Sequence, residues 1–335
     1  MNRAAPRERD SRTSRRAAHE IVYLVMAHGD PTQALRLMAT IRTGSPNSAI
    51  YLHHDAKGAL PAERTLTALN VKLVQPRINV AWGTFSLVEA VLISMRLILQ
   101  EIEFRWLVVL SGQDYPLRPF NKIEEDLRES PFDAYVRASP AAEGEYAFRY
   151  DHQYWSLPNI RHAYLLPHWA STLVARGRVA LNARNGLVRL QPRSRNSSAL
   201  IGLRAHRKPF SKSFVCYKGS QWFTLSCRAV RILIAHGDTN PQIIDYYHRV
   251  LIPDESYFQT ILWNSECLTI ANDHRRLVLW DDSKLSHPVT LTMAHWHAII
   301  NSGKDFGRKF DISVDASVLD ALDDLVLSNR RAAAD

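Results

Sequence analysis

Short apolar runs recur along the first third of the chain, separated by turns and by segments of helical period. Residues 21–27 (IVYLVMA) form an uninterrupted apolar run that stops at the turn sequence of residues 28–31 (HGDP). A run that is apolar at every position is typical of a strand buried on both faces of a parallel sheet. Residues 49–53, 71–74 and 106–110 predict further buried strands.

Apolar residues at helical spacing fill the intervals between these strands. Pro31 opens one such segment, and residues 86–101 keep the same period with few helix breakers. Strands and helices therefore alternate about every thirty residues, which predicts an α/β fold built from βαβ units. Because ligands bind beyond the carboxyl ends of the strands in such sheets, we expect a site near His28, Asp55 and residues 111–114.

The second half of the chain has a less regular pattern. Strand-like runs occur at residues 222–225 and 277–280, and residues 228–235, 255–263 and 317–327 predict helices. No internal repeat is visible. The mixture indicates additional elements added to the α/β core rather than a second copy of it.

Composition indicates a globular protein. The chain has 335 residues, 46% hydrophobic and 22% charged, enough to bury a large core. We expect one domain over residues 19–330 after a disordered basic tail at residues 1–18. No apolar window reaches the roughly 18 residues of a membrane-spanning helix. Cys216, Cys227 and Cys267 form no Cys-x-x-Cys pair, so we expect reduced thiols and a cytoplasmic location.

Positive charge is concentrated in one stretch. The formal net charge is +9, and residues 171–212 contain ten Lys or Arg residues and no Asp or Glu. This basic insert, with apolar residues between its charges, predicts contact with an anionic membrane surface or an anionic acceptor. A solvated insert without a partner is the alternative. Nucleic acid is the least favoured partner because the insert lacks interleaved aromatic residues for base stacking.

Several classes of enzyme lose support because their motifs are missing. The chain has no G-x-x-x-x-G-K-[ST] loop and no G-x-G-x-x-G after the first strand, which argues against nucleoside triphosphatases and nicotinamide enzymes. It has no H-E-x-x-H and no G-x-S-x-G. The strand ends also lack an Asp-x-Asp that would hold a divalent ion against a diphosphate.

Six short segments, in their order and spacing, resemble one family. The segments are YLHHD (51–55), VAWGTFSLVEA (80–90), LSGQDYPL (110–117), KGSQWFTL (218–225), IPDESYFQT (252–260) and FGRKFD (306–311). Through them the chain is similar, from about residue 21 to residue 311, to the core-2/I-branching β-1,6-N-acetylglucosaminyltransferases and the protein xylosyltransferases of glycosyltransferase family 14. The resemblance implies a GT-A type fold with a Rossmann-like mixed sheet and helices on both faces. It also implies an inverting mechanism, a UDP-sugar donor and no metal or other cofactor.

The resemblance assigns Glu255 as the catalytic base. Inverting transfer needs one carboxylate that deprotonates the acceptor hydroxyl, a contribution of typically ~10²–10⁴-fold in rate. Glu255 follows Pro253-Asp254 at the start of a predicted helix, whose N-terminus favours the charged carboxylate. Asp254 is interpreted as the cap of that helix.

Arg308 and Lys309 match the basic pair of the family, which neutralises the leaving diphosphate in place of a metal ion. Phe306 and Phe310 on either side predict partial burial of this pair. The family's other phosphate-binding Arg has no counterpart here, since residues 285–300 contain no Lys or Arg. His287 or His295 is the candidate substitute.

The remaining sites follow from the same resemblance. Asp55 matches the residue that contacts uridine, and Trp82 lies where an aromatic ring stacks near the base, with a place in the core as its alternative. Asp114 either orients the donor sugar or holds its own loop. Trp222 is the candidate floor beneath a sugar ring. The region that binds the acceptor in the family contains, among others, Glu143 and Arg149.

The sequence therefore predicts an inverting, metal-independent glycosyltransferase that transfers N-acetylglucosamine or xylose from a UDP-sugar to a hydroxyl of a glycan, glycolipid or protein. The basic insert predicts that this enzyme is peripheral on the inner face of a membrane. Two alternatives remain. One is a glycoside hydrolase, which would need a second carboxylic acid matched to Glu255. The other is a non-catalytic basic module that binds glycans or membranes.

Overall fold

The computed structural model describes residues 17–141, 147–156, 182, 186–191, 199–281 and 288–331. The strands in these residues are β1 (Ala17–Ala27), β2 (Ala49–His54), β3 (Val71–Leu73), β4 (Ile102–Ser111), β5 (Tyr115–Pro116), β6 (Ala134–Tyr135), β7 (Ala138–Pro140), β8 (His152–Ser156), β9 (Val188–Gln191), β10 (Leu200–Arg204), β11 (Tyr217–Gly219), β12 (Thr224–Ser226), β13 (Ile270–Ala271), β14 (Arg276–Val278) and β15 (Phe306–Arg308). Seven of them form the largest sheet, in the order β13-β6-β12-β4-β1-β2-β3.

The first four predicted strands lie side by side and parallel. β1 pairs with β2 and β4, and β2 pairs with β3, all in parallel register. β12, however, is antiparallel to both β4 and β6, so the sheet is mixed. The α/β class and the Rossmann-like mixed sheet are confirmed, in an arrangement consistent with a GT-A fold.

Helices cover both faces of the sheet. They are α1 (Thr32–Gly44), α2 (Glu63–Ala68), α3 (Ser86–Glu101), α4 (Phe120–Arg128), α5 (Phe148–Asp151), α6 (Cys227–Thr239), α7 (Pro241–Tyr247), α8 (Tyr257–Trp263), α9 (Trp296–Ile300) and α10 (Ser317–Arg331). One hydrophobic core joins the sheet to α3, α6 and α8, and a second core on the opposite face joins it to α1, α4 and α10. Across the described residues, no helix combines the length and apolar character needed to cross a membrane.

The alternation of side chains along β1 explains its uninterrupted apolar sequence. Val22, Leu24 and Met26 belong to the core on one face. Tyr23 and Val25, at the intervening positions, belong to the core on the other face. Since successive side chains of a strand point to opposite faces, every position in this strand must be apolar.

The structure describes only parts of the predicted N-terminal tail and of the basic insert. β1 begins at Ala17, so the last two residues of the predicted tail belong to the sheet, and residues 1–16 lie outside the described ranges. Of the basic insert, β9 and residues 199–212 with β10 are the main described parts. β8, β10 and β9 form a separate antiparallel sheet of three strands.

Candidate active site

The carboxyl ends of the three central parallel strands meet at one edge of the sheet. The backbone N–H of Asp55, which follows β2, donates to the carbonyl of Ala27 at 2.9 Å. The N–H of Gly112, which follows β4, donates to the carbonyl of Met26, also at 2.9 Å. The loops after β1, β2 and β4 are therefore in contact, as the strand pattern predicted.

Asp55 lies at this edge with 7% of its surface exposed. One carboxylate oxygen accepts from the backbone N–H of Lys57 at 2.9 Å, and the Lys57 ammonium lies 3.6 Å from the other. The carbonyl of Asp55 accepts from the Arg77 guanidinium at 3.2 Å. These contacts fix the carboxylate at the sheet edge; its contact with uridine stays a prediction.

Trp82 stands out from the surface, with 74% of its area exposed. This excludes the core position that was its alternative and leaves an open indole face. The next residue, Gly83, has φ of 76°, a conformation that favours glycine. Its carbonyl accepts from the N–H of Ile252 at 3.0 Å, so the tryptophan loop lies against the segment that leads to Glu255.

Glu255 ends a 3-10 turn, Pro253–Glu255, and α8 begins two residues later at Tyr257. The predicted helix therefore starts later than expected. The Glu255 side chain is 41% exposed, and one of its oxygens accepts from the Arg149 guanidinium at 3.0 Å. Burial raises the pKa of the Glu255 carboxyl, while Arg149 and Lys218 oppose that rise. The arrangement is a partly open carboxylate held in place by a cation.

Asp254 does not cap the helix. Its side chain makes no capping hydrogen bond to the 3-10 turn or to α8, so this prediction is wrong. The residue is 4% exposed, and its Oδ1 has no hydrogen-bond partner. Burial and the neighbouring Glu255 raise the pKa of Asp254 from 3.8 to about 7. A buried carboxyl that ionises near neutral pH thus lies directly beside the candidate base.

This assignment predicts how stability depends on pH. Between pH ~4 and ~7 the folded chain holds a proton on Asp254 that the unfolded chain has released, so its contribution to stability falls as pH rises through this window. Asp254→Asn should therefore gain thermal stability relative to wild type between pH ~5 and ~8. Thermal unfolding at both pH values, with the exposed Asp245→Asn as control, measures this. Parallel pH profiles for wild type and Asp254→Asn would contradict the assignment.

Arg308, at the end of β15, lies between Asp114 and Trp222. Its guanidinium carbon is 4.4 Å from the centre of the Trp222 ring, and its Nη1 is 3.6 Å from Asp114 Oδ1. The Arg308 side chain is 14% exposed. Trp222, 9% exposed, therefore offers one ring face to the guanidinium; its contact with a sugar stays a prediction.

Asp114 is fully buried and supports its own loop as well as Arg308. Its Oδ2 accepts from the N–H of Ser111 at 3.0 Å. Burial raises the pKa of Asp114, and Arg308 opposes that rise. With no exposed surface, the carboxylate holds the loop and orients Arg308 rather than reaching outward, which favours the second of its two predicted roles.

Lys309 follows Arg308 and is half-buried. Phe306 and Phe310 on either side are 1% and 0% exposed, which agrees with the predicted burial of this segment. The N–H of Phe310 donates to the carbonyl of Gln113 at 2.9 Å, so the basic pair is anchored to the loop after β4.

Gln259 on α8 joins the turn that carries Glu255 to the loop that carries Trp222. Its fully buried amide Nε2 donates to the carbonyl of Ser220 and, at 3.3 Å, to the carbonyl of Asp254. Ser220 in turn caps the turn that carries Trp222, through a hydrogen bond of 3.2 Å to the Trp222 N–H. The segment of Glu255 is thus connected to Arg308 through Gln259, Ser220 and the Trp222 ring.

The role of His287 or His295 in place of the missing phosphate-binding Arg stays a prediction. His295 Nδ1 accepts from the N–H of Thr292 at 3.1 Å and completes a capping box at the 3-10 helix Met293–His295. His287 and the acceptor candidate Glu143 lie outside the described residues. Within the described ranges, no group of three His, Cys, Asp or Glu side chains has the arrangement of a metal site.

Two residues near the site escaped sequence analysis. Arg276 is 2% exposed, and its guanidinium donates to the carbonyls of Val109 and Phe223 at 3.0 and 3.1 Å. It thereby fastens β14 to the central sheet behind Arg308. The positive charge of Lys218 opposes the rise that burial causes in the pKa of Glu255. Lys218 begins the KGSQWFTL segment, so this motif could have identified it as a site residue. No local sequence pattern marks Arg276 as buried.

Comparison with known proteins bears on this arrangement. The family model described as "Core-2/I-Branching enzyme" matches residues 21–302. The chain is similar to two proteins of Arabidopsis thaliana, the β-glucuronosyltransferases GlcAT14A and GlcAT14B. GlcAT14A is 33% identical over 125 residues, 36% of this chain and 28% of the relative; GlcAT14B is 30% identical over 126 residues, 37% and 29%. The matched stretch therefore spans less than a third of each relative.

Proposed function

This chain belongs to the core-2/I-branching enzyme family, and from that premise we propose that it is an inverting, metal-independent glycosyltransferase that uses a UDP-sugar. The observation that carries the proposal is that the turn of the cation-held Glu255 is hydrogen-bonded through Gln259 to the loop of Trp222, whose ring packs on the buried guanidinium of Arg308. Inverting transfer to a hydroxyl needs these two chemical functions and no covalent intermediate.

Glu255 is the proposed base. Its carboxylate accepts the proton of the acceptor hydroxyl while the oxygen forms a bond to the anomeric carbon. The bond from that carbon to the diphosphate breaks on the opposite face, and UDP leaves with the bonding electron pair. Arg149 supports this role because its contact of 3.0 Å orients the carboxylate and opposes the rise that burial causes in the pKa of Glu255.

We propose that Arg308 and Lys309 neutralise the negative charge that develops on the leaving diphosphate. A guanidinium can bind phosphate oxygens through parallel donors, and an ammonium adds a point charge. Arg308 is already oriented by Asp114 and by the Trp222 ring before a ligand arrives. Donors fixed in advance stabilise developing charge without a cost of reorganisation.

The donor sugar is proposed from two sources. The family resemblance favours N-acetylglucosamine or xylose. The relatives are β-glucuronosyltransferases, which makes glucuronic acid the second candidate. The charges of Arg149 and Lys218 both lower the pKa of Glu255. The same two cations would suit the carboxylate of a uronic acid. Release of UDP from each of the three UDP-sugars, with a glycan, glycolipid or protein acceptor, discriminates between them.

Metal independence gives a direct prediction. Because side-chain cations take the place of a metal ion in the proposal, UDP release from the preferred donor should be the same within about twofold with and without EDTA. The measurement is initial-rate UDP release by enzyme pretreated with EDTA, and a manganese-dependent glycosyltransferase treated in parallel shows that chelation is complete. Activity that disappears with EDTA and returns with added Mn²⁺ would contradict the diphosphate site.

The two alternatives meet specific difficulties. A glycoside hydrolase needs a second carboxylic acid that reaches the substrate opposite Glu255. The adjacent carboxyl, Asp254, is 4% exposed and cannot do so. A purely binding module needs no general base, whereas the partly exposed Glu255 carboxylate is oriented by Arg149. The same UDP-release assay separates all three, since neither alternative consumes a UDP-sugar.

A further inference from the structure

The three-stranded sheet of β8, β9 and β10 has one face that is almost entirely apolar. Trp155 pairs with Ile201 across β8 and β10, and Ile201 pairs with Leu190 on β9. Leu203, two residues after Ile201 on β10, pairs with Val188 on β9. Because directly paired residues and residues two apart share a face, these five apolar side chains lie together, and Gln153, which pairs with Leu203, is the polar residue beside them. We name the five apolar side chains the outer face.

The opposite face of this sheet packs against the protein. Tyr154 is 6% exposed, and its hydroxyl donates to the carbonyl of Phe148 at 2.9 Å. A Cβ on Gly202 would lie 2.3 Å from the Tyr154 ring, which shows how closely the two strands pack there. The neighbouring His152 is 2% exposed. The outer face is therefore the side directed away from the body of the domain.

The outer face is open in the described structure. Trp155 is 40% exposed and Leu203 is 44% exposed, and the other three side chains are half-buried. None of the five belongs to either hydrophobic core as these are formed by the described residues. Contiguous exposed apolar surface of this kind marks a contact with another body.

Exposed cations lie beside the outer face and in the segment that follows β10. The Arg249 guanidinium carbon lies 5.6 Å from the Trp155 ring centre. Among the described side chains of β8 to β10 and their flanks, Asp151 is the carboxylate nearest these cations, 3.7 Å from Arg204 and 3.8 Å from Lys208, and it is outnumbered. Arg207, Lys208 and Lys212 follow β10 in the chain and are exposed, as is Arg249, whereas Arg204 pairs with His152 and belongs to the opposite face.

We propose that the outer face rests on an anionic phospholipid bilayer. Tryptophan is favoured at the depth of the lipid headgroups, leucine at the boundary of the acyl chains, and Arg and Lys beside lipid phosphates. A second copy of this chain is disfavoured, since a twofold interface would bring these cations towards their own copies. A soluble anionic glycan would leave the aliphatic side chains without a partner.

The position of the outer face suits an enzyme acting on a membrane-bound acceptor. The N–H of Tyr154 donates to the carbonyl of Arg249 at 2.8 Å, and the N–H of Leu251 donates to the carbonyl of Arg149 at 3.2 Å. The sheet is thus bonded to the segment that leads directly to Glu255. The proposal adds a location to the proposed transfer reaction and does not depend on it, because lipid binding is measured without any sugar.

Sedimentation of the full chain with lipid vesicles tests the proposal. The chain should bind vesicles of phosphatidylcholine with about one third phosphatidylglycerol, and this binding should fade as salt rises from about 0.1 M to about 0.5 M. Arg207→Gln with Lys212→Gln should weaken binding on the order of 25-fold, about fivefold for each cation. Leu203→Ser, which leaves the charge unchanged, should weaken it several-fold through lost apolar contact.

The matched control is Arg64→Gln with Arg231→Gln, which removes the same charge from exposed positions on α2 and α6 and should bind as wild type. Equal binding to pure phosphatidylcholine vesicles, or no binding at low salt, would overturn the proposal. So would equal losses in the control and test variants. Dimers that Leu203→Ser dissociates would identify the face as an interface between copies instead. UDP release by these variants, measured with a soluble acceptor, reports separately on the transfer reaction.

Discussion

Glu255→Gln should reduce sugar transfer by about 10²–10⁴-fold, because the amide cannot accept the proton of the acceptor hydroxyl. Binding of UDP should remain within about twofold of wild type, since Glu255 does not contact the proposed diphosphate site. The measurement is the initial rate of UDP release with acceptor present, together with the UDP affinity from calorimetry. A fall in rate with unchanged nucleotide affinity assigns the glutamate to the chemical step.

The control for this substitution is Glu266→Gln, which makes the same chemical change at an exposed position and should keep the wild-type rate. Glu255 is 41% exposed, so the loss of its contact with Arg149 should cost at most about 1 kcal/mol of stability. Comparable thermal unfolding of the two variants would exclude misfolding. A Glu255→Gln enzyme that transfers sugar at the wild-type rate would exclude this residue as the base.

Local patterns of sequence predict the central part of this fold well. The apolar runs that predict β1 and β4 lie inside strands buried on both faces, where every position contacts one core or the other. β12 was predicted as a strand, but its antiparallel pairing with β4 was not. Strand direction depends on how a long connection returns to the sheet, and no local pattern records that path.

The candidate site shows the same limit. Short motifs placed Glu255 and Arg308 in the site because each is surrounded by distinctive neighbours in the sequence. Arg149, 106 residues before Glu255, was expected to bind acceptor, and its contact with the glutamate was not foreseen. The burial of Asp254 likewise depends on the packing of distant segments. Contacts between residues far apart in sequence arise only once the chain has folded.

The buried Asp254 shows how the candidate base and its surroundings are coupled. At pH below ~7 the Asp254 carboxyl holds a proton, so it places no negative charge beside Glu255. Above that pH Asp254 is charged, and Arg149 lowers the pKa of both carboxyls. The charged Asp254 therefore raises the pKa of Glu255, so Glu255 becomes a stronger base as the pH rises through the pKa of Asp254.

Arg308→Ala with Lys309→Ala should have the second large effect. Removing both cations leaves the leaving diphosphate without its proposed charge partners, so the transfer rate should fall by about 10³-fold or more. UDP affinity should fall by about 10–100-fold, the typical loss for charge-assisted hydrogen bonds worth ~1.5–3 kcal/mol. Calorimetry with UDP and initial rates at saturating donor measure the two effects separately. The matched control is Arg64→Ala with Arg231→Ala, which removes equal charge from the surface and should leave both values unchanged.

Arg308→Lys separates loss of a phosphate contact from loss of structure. In the double alanine variant the buried Asp114 loses the cation that opposes the rise in its pKa, so the carboxyl would take up a proton or destabilise the loop. The lysine variant keeps a positive charge beside Asp114 but removes the paired donors of the guanidinium. It should fold as wild type and bind UDP about tenfold more weakly. Wild-type UDP affinity in Arg308→Lys and in Lys309→Ala alike would place the diphosphate elsewhere in the molecule.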